Sequence, residues 1–197
     1  MIALTHKAPK GAALIAFLLA VLLPGPASAQ ASMAAPAEGR GERVATALAA
    51  AQDAQGRADQ NALSDALRII DRSGARPLED WNGPDPVPAW RALLTDRAAV
   101  PLRGSPLGPG YRSGQVRPGK SESFQQVFLS GRKASIALSS PGGAPLSLRV
   151  VDADRKQVCV SETARQACRW VPIFTQRYVI EVRNSGESQA SYFLVVD

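Results

Sequence analysis

Ser135-Ile136-Ala137-Leu138-Ser139, the turn Pro141-Gly142-Gly143, and Leu146-Ser147-Leu148-Arg149-Val150-Val151 decide the fold. Apolar and small or polar residues alternate with a period of two on either side of a turn that neither helix nor strand can cross. The same period recurs downstream. Tyr178, Ile180 and Val182 alternate with Arg177, Val179, Glu181 and Arg183, and Tyr192, Leu194 and Val196 repeat it at the C-terminal side. Tyr111 to Val116, Phe124 to Leu129, Val158 to Ser161 and Cys168 to Val171 bring the expected total to about eight short strands. The pattern predicts a mainly β chain, an antiparallel β-sandwich or jelly roll with one face of each sheet buried, preceded by a short α-helical region.

Upstream the period is 3.6. Val44 and Leu48 lie four apart in an Ala-rich stretch starting at Glu42. Leu63, Leu67 and Ile70 make one helical stripe that Gly74 can terminate. Pro88 suits the first turn of a third helix with Trp90, Leu93 and Leu94 on one face. Residues 75–88 contain four prolines and Trp81, which excludes a helix or central strand there. Trp81 and Trp90 are read as glue between a helical module and its neighbour rather than as ligand-stacking residues. The Pro/Gly-rich stretch Pro101 to Gly110 marks a boundary between a helical region at 42–107 and a sandwich domain at 108–197.

The first 29 residues read as a cleavable export signal. Lys7 and Lys10 precede the apolar run Ala12 to Leu23, the helix-breaking Pro24-Gly25-Pro26 and the small-residue site Ala27-Ser28-Ala29. The run is short for a bilayer span, so the mature chain is expected without a transmembrane segment, beginning near Gln30 or two residues later. No Cys lies near the site, which argues against a lipid anchor. Residues 30–41 are small and Pro/Gly-rich and are expected to be a disordered tether. The expected location is exported, periplasmic or secreted.

Cleavage removes His6, the only histidine. That excludes Ser-His-Asp and Cys-His catalysis and His-liganded zinc from the mature protein. It also removes Lys7 and Lys10, taking the formal net charge from +6 to +4. The remaining charge is uneven: residues 30–107 carry 9 basic and 10 acidic side chains, residues 108–197 carry 12 and 7. Cys159 and Cys168, the only cysteines, are expected to form a disulfide in an oxidising compartment, around a hairpin turn. Closing a loop of this size stabilises by about 2.7 kcal/mol on the chain-entropy model. Eight intervening residues are unlike the Cys-x-x-Cys of redox catalysts.

Ser130-Gly131-Arg132-Lys133 matches the Ser-x-x-Lys of penicillin-recognising enzymes, but it sits at a turn and no Ser-Asp-Asn or Lys-Thr-Gly follows. It is read as a hairpin turn whose Gly131 permits positive φ. Asp152 and Asp154 stand beside Arg155 and Lys156, a poor cation site, so an Asp capping its own turn is favoured. Glu79, Asp80 and Asp85 are the carboxylates a glycosidase reading would use, and nothing in sequence fixes their separation. No Walker, Rossmann or nucleic-acid motif is present, and no cofactor, metal or nucleic-acid partner is expected.

With Tyr178, Ile180, Val182, Leu146, Leu148 and Val150 facing the core, the pleat sends Arg149, Arg177 and Arg183 outward. Together with Arg132 and Lys133 they form a candidate basic surface for an acidic polymer or lipid headgroup. The competing explanation is a strand face charged only to prevent association.

Leu146-Ser147-Leu148-Arg149-Val150-Val151-Asp152, the Cys pair, Trp170-Val171-Pro172 and Arg177-Tyr178-Val179-Ile180-Glu181-Val182-Arg183-Asn184 resemble the pre-peptidase C-terminal domain and related exported bacterial β-sandwiches. Arg155-Lys156 and Gln176 stand where that family commonly carries glycines. The resemblance covers about half the mature chain and implies a substrate-binding or secretion-related module that usually accompanies a secreted enzyme. Here the upstream residues are too few for a protease domain. The leading expectation is therefore a non-catalytic exported protein that binds an envelope or extracellular partner, protein or polymer. Two alternatives remain open: an accessory to or member of a secreted hydrolase system acting on cell-wall polymer, and an envelope assembly factor using the N-terminal helices.

Overall fold

The structure, a computed structural model, describes residues 38–94, 108–161 and 166–197. The expected export signal and cleavage site, most of the tether and most of the expected boundary stretch lie outside these residues. Three helices come first. α1 (Arg40–Gly56) starts two residues before the expected helix start at Glu42, and the Glu42 carboxylate accepts from the Gly39 N–H at 3.3 Å. α2 (Gln60–Arg72) is capped by Asp59, whose Oδ1 accepts from Ala62 N at 3.0 Å, and Gly74 ends its run at φ +65°. α3 (Val87–Leu93) carries Pro88 in its first turn and buries Trp90; Leu93, expected on that buried face, is half exposed.

Every segment of alternating residues is a strand. β1 (Arg76–Pro77) is a two-residue addition inside the Pro-rich loop, followed by β2 (Gly110–Val116), β3 (Ser121–Phe128), β4 (Ala134–Ser139) and β5 (Leu146–Val151). β6 (Gln157–Ser161), β7 (Gln166–Trp170), β8 (Gln176–Asn184) and β9 (Ala190–Val196) complete two sheets of order β1-β2-β9-β4-β7 and β3-β8-β5-β6. All pairings are antiparallel except the short β1–β2 contact. The chain is mainly β, as expected.

Between the sheets Ile136, Leu138, Tyr192 and Leu194 meet Leu146, Leu148, Val150, Tyr178, Ile180 and Val182, all buried. Each such aliphatic side chain contributes roughly 1.5–3 kcal/mol by leaving water. Asn184 is the buried polar residue among those described, donating to Val116 O at 2.9 Å and Ser188 O at 2.7 Å. Its own Oδ1 accepts from Gly186 N at 2.8 Å, so the side chain ties the end of β8 to β2 and to the turn before β9.

The outer face of the first sheet is also covered. Val44, Leu48, Leu63, Leu67, Ile70 and Trp90 pack with Tyr111, Ala137, Phe193 and Val195 in a second buried cluster. β9 is consequently buried on both faces, whereas one buried face per sheet is what the alternation predicts. Ala37–Asp197 is one compact unit, and the helices share a core with the sheet. A division at 107/108 therefore does not separate two cores. Two ion pairs, Arg40–Asp197 at 2.6 Å and Arg169–Glu42, tether α1 to the same sheet, and being exposed they fix position more than they stabilise.

Cys159 and Cys168 are bonded, with Cα atoms 5.8 Å apart. They are not partners across a hairpin. β6 is the edge of one sheet and β7 the edge of the other, so the bond joins the two sheets at one side of the sandwich.

Candidate functional site

β8 and β5 present the outward side chains of the uncovered sheet. Arg149 lies opposite Glu181 in the register, with Nη1 3.7 Å from Oε2, so a carboxylate already faces it. Arg183 stands between Ser121 and Ser147 on the flanking strands. Arg177 lies six residues earlier on β8, about 20 Å away at strand rise, and its Nη1 donates to Gln125 Oε1 at 3.3 Å. Arg132 and Lys133 occupy the corner between β3 and β4, which are in different sheets, so the expected hairpin there is a sheet-to-sheet crossing. Lys133 faces a groove it shares with Arg40, Ser135, Arg169 and Asp197 on the first sheet's side. The five cations expected as one basic surface are thus distributed over three places.

What the fold does bring together is a cleft at the open edge of the sandwich, between β1 and the start of β2 in one sheet and β3 in the other. Its volume is about 480 Å³, and Arg76, Glu79, Asp80, Gln125, Gln126 and Arg177 line it. Gly110 allows the Pro-rich loop to lie this close: a Cβ there would come within 2.3 Å of Leu78 Cδ2. Farther along the same edge the gap between sheets is filled. Arg112 reaches Glu122 at 3.3 Å and stacks 4.2 Å from the Phe124 ring centroid. Among the described residues, none of the four charged groups in the cleft belongs to an ion pair. A concavity with two guanidinium groups, two carboxylates and two amides can hydrogen-bond a ligand of mixed polarity.

Of the three acidic residues considered in sequence, Glu79 and Asp80 line this cleft and Asp85 does not. Asp85 Oδ1 accepts from Tyr111 Oη at 2.8 Å and from Val87 N at 3.1 Å, anchoring α3. Burial first, and that hydrogen bond second, push the Tyr111 phenol far above its ordinary value. Ser130 is likewise engaged: its Oγ donates to Ile173 O at 2.6 Å and its N–H to Thr175 Oγ1 at 2.9 Å. Gly131 sits at φ +70°. Asp152 caps its own turn, accepting from Asp154 N at 3.0 Å and Lys156 N at 2.8 Å. Arg76, Gln125 and Gln126 were not singled out in sequence. Arg76 lies 49 and 50 positions before Gln125 and Gln126, and only the long-range pairing of β1 with β2 and of β3 with β8 aligns them.

No protein-family model and no curated protein matches the sequence. Solved structures similar to it include the pre-peptidase C-terminal domain of a collagenase from Bacillus anthracis, the family named from the sequence, at 11% identity and a TM-score of 0.40 over 44% of this chain and 87% of that one. PliG, a periplasmic inhibitor of g-type lysozyme from Aeromonas hydrophila, is similar at 11% identity and a TM-score of 0.37, over 45% of this chain and 84% of its own. The Yersinia pseudotuberculosis-derived mitogen is similar at 10% identity and a TM-score of 0.40, with the same coverages of 45% and 84%.

Proposed function

We propose that this chain is an exported, non-catalytic binding module that holds a polar envelope or extracellular ligand, polymer or peptide, in the cleft between β1 and β3. The observation that carries this reading is the cleft itself: charges of both signs, in no ion pair among the described residues, and two amides in one concavity of about 480 Å³. Arg76 and Arg177 suit carboxylates, which they can grip through two parallel hydrogen bonds. Glu79 and Asp80 suit the hydroxyl or ammonium groups of the same ligand. Catalysis is not proposed, because the histidine-dependent mechanisms are excluded once His6 is removed.

The test is retention of envelope polymer and envelope protein fractions on the immobilised protein. Arg76→Gln with Arg177→Gln should weaken retention at least about tenfold, as expected for loss of charged hydrogen bonds. Arg149→Gln with Arg183→Gln, outside the cleft, should leave it unchanged. Equal retention by the Arg76/Arg177 variant and the parent would refute the assignment.

A further inference from the structure

At one end of the sandwich two loops present apolar side chains to water. The corner after β3 exposes Leu129 and the loop between β7 and β8 exposes Val171, Ile173 and Phe174; Ile173 and Phe174 are 78% and 70% exposed. These loops are latched together. Gly131 N donates to Pro172 O at 2.8 Å, and Ser130 bonds both Thr175 and Ile173. Beneath them Phe128, Trp170 and Tyr178 pack edge-on or tilted against one another at centroid distances of 4.8–5.6 Å. The tip therefore stands on packed aromatic rings, and its apolar residues lie on two loops held together by hydrogen bonds rather than scattered over the surface.

Positive charge lies beside it. Arg132 and Lys133 follow Leu129 within four residues, and neither has an ion-pair partner among the described residues. The β5–β6 turn is at the same end of its sheet, where Asp152 and Asp154 are offset by Arg155 and Lys156. An apolar tip flanked on its β3–β4 side by two cations, Arg132 and, at the rim of the neighbouring groove, Lys133, matches the two layers of an acidic bilayer surface, anionic headgroups outside and acyl chains beneath. A protein partner would need a groove shaped to receive the tip; a bilayer needs none. Among the described residues no helix is long and apolar enough to cross a membrane, so attachment by these residues would be superficial.

We infer that this end of the sandwich docks on anionic phospholipid bilayers, with Ile173 and Phe174 entering the headgroup–acyl boundary and Arg132 and Lys133 against the phosphates. The experiment is vesicle cosedimentation of the protein freed of residues 1–29; among the described residues the two buried clusters begin at Val44. Binding should require phosphatidylglycerol mixed into phosphatidylcholine and fall with salt. Ile173→Ser with Phe174→Ser should reduce partitioning at least about thirtyfold, and Arg132→Gln with Lys133→Gln about tenfold. Circular dichroism should show both variants folded, since the altered side chains lie outside the core. In Phe174→Trp, bromolipids should quench the added indole. No binding to either vesicle, equal binding to phosphatidylcholine alone, or binding undiminished by the Ile173/Phe174 change would overturn the inference. So would a protein captured through Ile173 and Phe174 without vesicle binding, which would make the tip a protein-docking surface.

Discussion

Phe193→Ala is the sharpest probe of how the helices and sheets are joined. Phe193 is on the face of β9 turned away from the sandwich interior, and a bare sheet would leave it wet. Instead it is 1% exposed, with its ring centroid 5.9 Å from that of Trp90 in an edge-on arrangement. Removing a buried Phe side chain costs about 3–5 kcal/mol, of which the aromatic pair supplies about 0.5–1.5. With a urea m-value of about 2 kcal/mol/M for a chain of this size, the midpoint should drop by about 1.5–2.5 M. Val179→Ala, on the uncovered face of the other sheet, is the matched control and should cost under about 1 kcal/mol. Paired urea titrations by circular dichroism read both. A Phe193→Ala loss no larger than that of Val179→Ala would show that the helices do not complete the core.

Two further outcomes are expected. Cys159→Ser with Cys168→Ser should lower stability by about 2.7 kcal/mol, and the intact mass of the parent should be two hydrogens below the reduced value; two free thiols in protein purified from its native compartment would contradict the bond. Tyr111 and Tyr192 both have phenols raised by burial, with Asp85 and Glu122 adding to the respective shifts. Their neutral forms are favoured in the folded state, so the associated stability is intact below the ordinary phenol value of about 10 and is lost as pH rises above it. Urea midpoints should therefore fall steeply beyond about pH 10, and Tyr111→Phe should flatten that fall; an unchanged slope would show that Tyr111 does not contribute.

The period-two segments and the turns between them were enough to identify eight strands and their inward residues, because alternation is local and the interior positions Leu146, Leu148, Val150, Tyr178, Ile180 and Val182 are apolar. The 3.6 period likewise located three helices, and Leu63, Leu67 and Ile70 point where their spacing says. Placement of the helices was decided by tertiary structure. Phe193 and Val195 sit at outward positions of β9, and although their apolarity is visible in sequence, only the packing of α1–α3 explains it. Partnering was also undetermined locally: Cys159 and Cys168 read as neighbours round a hairpin, yet their strands belong to opposite sheets. The same reason governs the sites. Alternation correctly turned Arg149, Arg177 and Arg183 outward, but it is blind to distance along a strand and to the charge opposite, which separate Arg177 from Arg183 and set Glu181 against Arg149. A sequence determines which face a side chain takes, since that depends on one backbone period. Which side chains share a cleft depends on strand order and register between distant segments, and that is settled only when both sheets and the helices close around their two cores.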